Sequence, residues 1–266
     1  MVTAPENKTD LTVIAHRGFA GIAPENTLAA ARLASDLGAD AIELDVVATV
    51  DGTPVVFHDR RLDDRGTSRG ITDATGVVAD RSTSTVTGAH VLGTDQTIPT
   101  LAAFVEAVPN DVILNVELKR PSTTAETPAS SAEPDGGLGQ ERWQPFVNRV
   151  MERIDRRRND VLYSSFSQTA LKAVRSRSAD ARVAPIARDV DTATTMAAAL
   201  DTRIIHPALD GLRSVQGDSP LRGYTVNAWT ARTWQDADDA VQFGVDGLIT
   251  DYPSVPSAVF ESDRSG

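Results

Sequence analysis

What most constrains this chain is a rhythm. From residue 11 to residue 250, short apolar runs rich in β-branched residues alternate with segments whose apolar residues recur at helical spacing. The runs fall at 11–15, 41–47, 112–118, 161–165, 181–186, 202–205, 222–226 and 246–250. Between them lie helical patterns at 26–37, 101–108, 143–157, 168–177, 192–200, 209–215 and 232–243. A helix between two strands gives the chain length that a parallel crossover needs. Eight such strands are the number that closes a (β/α)8 TIM barrel. An open doubly wound sheet competes with it, but no glycine-rich dinucleotide fingerprint follows the first run. The expectation is therefore one α/β domain, a TIM barrel over residues 11–258, with tails at 1–10 and 259–266.

Three stretches depart from the rhythm. A ninth run, Pro54-Val-Val-Phe-His58, follows the second strand after only Asp51-Gly52, a strong hairpin signal, so it must fold back antiparallel as an extra hairpin strand. If Asp51 and Gly52 are the two central turn residues, Val50 pairs with Thr53, and counting outward puts Asp45 opposite His58. Residues 62–97 are rich in Asp, Thr, Ser and Gly and read as a long loop insertion with at most one helical turn. Residues 120–141 form a Ser, Thr, Pro, Glu and Gly tract that reads as a flexible insert. Both are expected as insertions at the barrel's catalytic rim.

Charge and composition narrow the partners. A net charge of −11 argues against a broad nucleic-acid surface, so anionic ligands must be met locally. With no cysteine, disulfides, thiolate nucleophiles and cysteine-ligated metals are excluded, and any metal must be held by oxygen or imidazole. The amino terminus has no basic segment leading into an apolar run, and nowhere do about 18 apolar residues follow one another. These features predict a cytoplasmic protein without stable membrane association, and its oligomeric state is left open.

In a TIM barrel the chemistry sits at the carboxyl ends of the strands. Glu43 and Asp45 alternate within Ala-Ile-Glu-Leu-Asp-Val and leave one strand face, while Ile42 and Leu44 leave the other. Asn115, Glu117 and Lys119 alternate in the same way. With helices outside, the polar faces turn into the lumen, where three carboxylates would repel one another unless a divalent cation joins them. Oxygen ligands favour Mg²⁺ or Ca²⁺. A plain Lys119–Glu117 ion pair is the competing role for that lysine.

His16 and His58 flank the acidic cluster, and imidazoles there suit proton transfer near neutral pH. Arg17 beside His16 is suited to phosphate oxygens, with a salt bridge to Glu25 as the alternative or companion role. His90 and His206 lack such neighbours in the sequence and read as structural or surface residues.

At these residues the chain resembles the glycerophosphodiester phosphodiesterase family. The likeness is carried, in order, by His16-Arg-Gly18, Pro24-Glu-Asn-Thr27, Glu43-Leu-Asp45, Pro54-Val-Val-Phe-His58-Asp59, Ile98-Pro-Thr-Leu101, Glu117-Leu-Lys119, Ser165-Phe166, Trp229-Thr230 and Gly247-Leu-Ile-Thr-Asp251. The resemblance implies a barrel, one divalent cation, and hydrolysis of glycerophosphodiesters to glycerol 3-phosphate and an alcohol. It further implies Glu43, Asp45 and Glu117 as metal ligands, His16 and His58 as acid and base, and Arg17, Lys119 and Trp229 against the substrate. A cyclic phosphate formed by the neighbouring glycerol hydroxyl is the implied route. The chain departs from the family pattern at Asp64-Arg-Gly-Thr-Ser68 and at Arg232, where the family often has asparagine. Competing readings are a phosphoinositide- or lysophospholipid-cleaving enzyme on the same fold, a catalytically silent phosphate-binding barrel, and a sugar-phosphate isomerase.

Overall fold

A computed structural model describes residues 11–120, 139–215 and 221–254. Eight parallel strands close on themselves: β1 (Thr12–His16), β2 (Ala41–Ala48), β4 (Ile113–Leu118), β5 (Val161–Ser165), β6 (Arg182–Ala187), β7 (Ile204–Pro207), β8 (Thr225–Ala231) and β9 (Gly247–Thr250), with β9 pairing back to β1. The short strand β3 (Pro54–Val56) lies antiparallel on β2. Helices α1 (Leu28–Asp36), α3 (Leu101–Ala107), α4 (Gln140–Ile154), α5 (Gln168–Arg177), α6 (Val190–Ala199), α7 (Leu209–Arg213) and α8 (Trp234–Gln242) connect the barrel strands. The closed (β/α)8 barrel expected from the alternation is thus observed. The tails and most of the 120–141 tract fall outside the described residues.

The barrel's two faces follow from strand period. Ile42, Leu44 and Val46 of β2 and Leu114, Val116 and Leu118 of β4 pack outward with Phe104, Trp143, Val147 and Leu171 of the helices. Burying each such large apolar side chain contributes about 1.5–3 kcal/mol. The alternate residues face the lumen. Its lower layer is apolar, with Ile14, Ala41 and Ile249 in one cluster, and the next residue inward along β1 and β2 is polar, His16 and Glu43 respectively. Helix starts are fixed by short polar side chains: Thr27, Thr100, Ser167 and Thr233 each accept a backbone N–H from the first turn of α1, α3, α5 and α8.

The hairpin differs from its sequence reading by one residue. Thr49, not Val50, pairs with Thr53, and the Gly52 N–H donates to the Thr49 carbonyl at 2.8 Å, closing a three-residue loop. Gly52 has φ +71°, the left-handed conformation that ends this loop type without steric cost. The ladder therefore puts Asp45 opposite Phe57, whose N–H donates to the Asp45 carbonyl at 2.9 Å. A one-residue slip exchanges faces. Phe57 packs with Val47 and Val55, and His58 reaches the site because the chain turns away just beyond the last ladder bond.

Residues 62–97, expected as a long loop insertion with at most one helical turn, pack onto the barrel. They carry a 3₁₀ turn at Val78–Asp80 and the short helix α2 (Thr83–Thr87). Leu62, Val78, Val86, Ala89, Val91 and Ile98 make an apolar cluster with Val47, Val55 and Phe57. The missing period in the sequence reflects a core built from isolated apolar residues on bridges and turns, with no repeat to detect.

Candidate active site

Strand β2 delivers Glu43 and Asp45, and β4 delivers Glu117, directly beside Asp45 in the parallel register. One oxygen from each of the three carboxylates lies within 4.8 Å of the others. All three residues are buried. Burial, then repulsion from Asp45 and Glu117, pushes the Glu43 carboxyl well above its ordinary range. Asp45 goes the other way: burial would raise it, but Lys119 and Arg17 outweigh that and hold it well below the usual carboxylate range. Lys119 Nζ is 3.0 Å from Asp45 Oδ1 and 2.7 Å from Glu117 Oε1. Against burial, those two anions raise the lysine's pKa above its ordinary value. The salt bridge expected for Arg17 is present, since it donates to Glu25 at 3.0 Å, and its Nε also lies 3.0 Å from Asp45 Oδ2.

The trio fits a divalent cation on the chemistry of its donors. Glu43 Oε1 is buried without a hydrogen-bond partner, and the donor set is oxygen only.

Each flanking histidine is held by a carboxylate. His16, at the end of β1, has Nδ1 2.5 Å from Asp251 Oδ1, just beyond β9. His58 Nδ1 lies 2.6 Å from Asp59 Oδ1. An ionised carboxylate can only accept, so Nδ1 carries the proton in both rings and Nε2 is left for chemistry. Burial depresses the His16 pKa, partly offset by the Asp251 bond. Asp59 is held at a pKa of about 2: burial opposes this, and the bonds to His58 and Arg69 overcome it.

A second layer of residues was not read as functional in the sequence. Arg69, from the 62–97 segment, donates to both oxygens of Glu25 at 2.7 Å and to Asp59 from Nε at 3.1 and 3.2 Å. It thereby ties the carboxylate behind His58 to the one that holds Arg17. Asn26, φ +58°, donates to Asp45 Oδ2 at 2.8 Å. Asp251 and Asn26 lay inside quoted motifs, so a signal existed; Arg69 had none, being placed by the fold of the insertion.

These residues line a cavity of about 230 Å³ with His16, Arg17, Glu43, His58, Glu117 and Lys119 in it. Trp229 and Phe166, with ring centroids 5.6 Å apart and edge to face, form an aromatic wall, and the Trp229 indole donates to the His206 carbonyl at 2.8 Å. Ser165, also at a strand's carboxyl end, donates to the Leu118 carbonyl and serves the backbone. His90 is at the surface, bonded to Asp73.

His206 is fully buried in the cavity wall. Asn227 Nδ2, a donor only, lies 3.0 Å from His206 Nε2, so Nδ1 bears the proton of a neutral ring. Burial holds its pKa at about 3. Because the folded value is depressed below the ordinary 6.5, the unfolded chain binds a proton that the native one does not. Stability is then whole above pH 6.5 and is lost as pH falls towards 3, by about 1.4 kcal/mol per pH unit from this group. Denaturant melts at pH 7 and pH 5 should show that loss, and His206→Asn should reduce it.

The sequence model of the "Glycerophosphoryl diester phosphodiesterase family" matches residues 16–255. The glycerophosphodiester phosphodiesterase of Caldanaerobacter subterraneus is 29% identical over 253 residues, 91% of this chain and 94% of that protein. That of Bacillus altitudinis is 27% identical over 250 residues, 91% and 94% of the two chains. The structure of an Oleispira antarctica phosphodiesterase in complex with the product sn-glycerol-3-phosphate superposes with a TM-score of 0.77 at 27% identity, covering 94% of this chain and 96% of that one. With a family match that takes in every residue of the histidine and carboxylate cluster, the chain belongs to the glycerophosphoryl diester phosphodiesterase family, whose members are phosphoric diester hydrolases.

Proposed function

We propose that the protein hydrolyses glycerophosphodiesters to glycerol 3-phosphate and an alcohol, using His16 and His58 as an acid/base pair and one divalent cation, Mg²⁺ or Ca²⁺, held by Glu43, Asp45 and Glu117. The observation that carries this reading is the pair of imidazoles, each locked by a carboxylate on Nδ1, on the wall of the cavity that Glu43 and Glu117 of the three converging carboxylates also line. When bound, the cation supplies positive charge to the non-bridging phosphate oxygens.

Arg17 and Lys119 hold the phosphate from beside the carboxylates, and burial strengthens those contacts. One histidine Nε2 takes the proton of the glycerol hydroxyl next to the phosphoester. That oxygen bonds to phosphorus, the bond to the leaving alcohol breaks, and the other histidine, which enters the step as an imidazolium, gives the alcohol the proton from its Nε2. Water then opens the cyclic phosphate with the two roles exchanged, restoring both rings. No serine or cysteine nucleophile is required.

A substrate analogue without the neighbouring hydroxyl tests the route. Glycerophosphocholine should release choline and glycerol 3-phosphate when cation is supplied, and the 2-deoxy analogue should turn over at least about 100-fold more slowly. Equal rates would eliminate the cyclic intermediate.

A further inference from the structure

Above the phosphate-binding floor, the cavity opens past the Phe166–Trp229 wall to a rim that carries two arginines, Arg188 and Arg232. They are conspicuous on a chain of net charge −11. The only carboxylates among the cavity's lining residues are Glu43 and Glu117, which belong to the metal-ligand trio. Arg232 is partly committed, its Nε donating to Asp251 Oδ2 at 2.7 Å. Arg188 is exposed and has no side-chain partner among the described residues.

The backbone of Arg188 is nonetheless held. It follows β6 directly, and its carbonyl oxygen lies 2.2 Å from where a Cβ on Gly211 would stand, a closeness only glycine permits. On its other side, Asp189 caps α6 by accepting the Thr192 N–H at 2.8 Å and the Thr192 hydroxyl at 3.0 Å. The neighbouring carboxylate is thus already engaged, and the guanidinium starts from a fixed point on the rim.

Resting on the phosphodiesterase reading, we propose that Arg188 selects substrates whose leaving alcohol carries its own negative group, a phosphate or a carboxylate. The phosphodiester has its own cations below, in Arg17 and Lys119, so a glycerol phosphate seated there directs its alcohol towards the rim. An anionic alcohol meets the free guanidinium and the open side of Arg232. A choline or ethanolamine head brings a like charge to the same place, and the cation–π attraction of Trp229 acts against two nearby cations. Arg188 is a specificity residue on this account, with no part in proton transfer.

Three substrates with the same glycerol phosphate half separate the outcomes: glycerophosphoglycerol, the same diester with a phosphate on its far glycerol, and glycerophosphocholine. For the native enzyme, kcat/KM should be highest for the phosphorylated diester and lowest for the choline diester. In Arg188→Glu the ratio of phosphorylated to choline substrate should fall by about 10- to 100-fold, mainly through KM, as expected for reversing one charge at a solvated contact. A native preference for choline, or a variant that shifts all three substrates equally, overturns the inference and leaves the phosphodiesterase reading standing; equal shifts would mean general steering of anions. No hydrolysis of any of the three by the native protein would overturn the phosphodiesterase reading and this inference with it.

Discussion

His16→Ala and His58→Ala should each fold, bind the divalent cation and lose turnover by about 10²–10⁴-fold, the range of a single positioned acid or base. Neither ring contributes to the apolar clusters, and neither belongs to the carboxylate trio. The loss should appear in kcat, measured beside calorimetric cation binding and circular dichroism. Near-normal turnover in either variant would remove that ring from the mechanism. Asp251 and Asp59 act through the rings by fixing the tautomer, so Asp251→Asn should lower the rate with the histidine still present and shift the pH profile of kcat/KM.

Two substitutions in the carboxylate trio should move stability in opposite directions. Asp45 lies against Arg17 and Lys119 and accepts from Asn26, so Asp45→Asn leaves two buried cations without their shared anion. The expected cost is about 3–5 kcal/mol, seen as a lowered denaturation midpoint, together with loss of activity. Glu43 bears the opposite strain. Its folded pKa is raised above the ordinary 4.5, so the stability it contributes is present below that value and is lost as pH rises through the folded pKa. Glu43→Gln should therefore melt higher than the native protein when both are metal-free at pH 8, and should bind cation far more weakly. The native protein should bind cation more tightly as pH rises, because a carboxyl with a raised pKa must give up its proton to act as a ligand. A Glu43→Gln variant less stable than the native protein without metal would overturn this account of the trio.

How much was legible depended on range. The period of two in β2 and β4 put Glu43, Asp45, Asn115 and Glu117 on the lumen side, and the structure places them there. Strand ends were less visible. The sixth and seventh apolar runs of the sequence stop at 205 and 226, whereas β7 reaches Pro207 and β8 reaches Ala231. Polar residues there mask the strands because the lumen, not solvent, receives them. Of the two readings of His206, structural or surface, the buried one holds: it lies in the cavity wall within β7, bonded to Asn227. The hairpin was found from Asp51-Gly52, but its register was missed by one residue, since the same dipeptide can end a three-residue loop as readily as fill a two-residue turn.

The sequence by itself determined the barrel, the faces of its strands and the identity of the histidine and carboxylate cluster, because strand and helix periods are local and the motifs keep their order. Only the tertiary structure decided what stands behind those residues. Asp251 reaches His16 across 235 positions of chain, and Arg69 leaves the 62–97 fold to join Glu25 with Asp59. Arg188 reaches the rim as part of the same closed ring. These meetings come from barrel closure and from a core without periodicity, and neither leaves a trace in the spacing of residues along the chain.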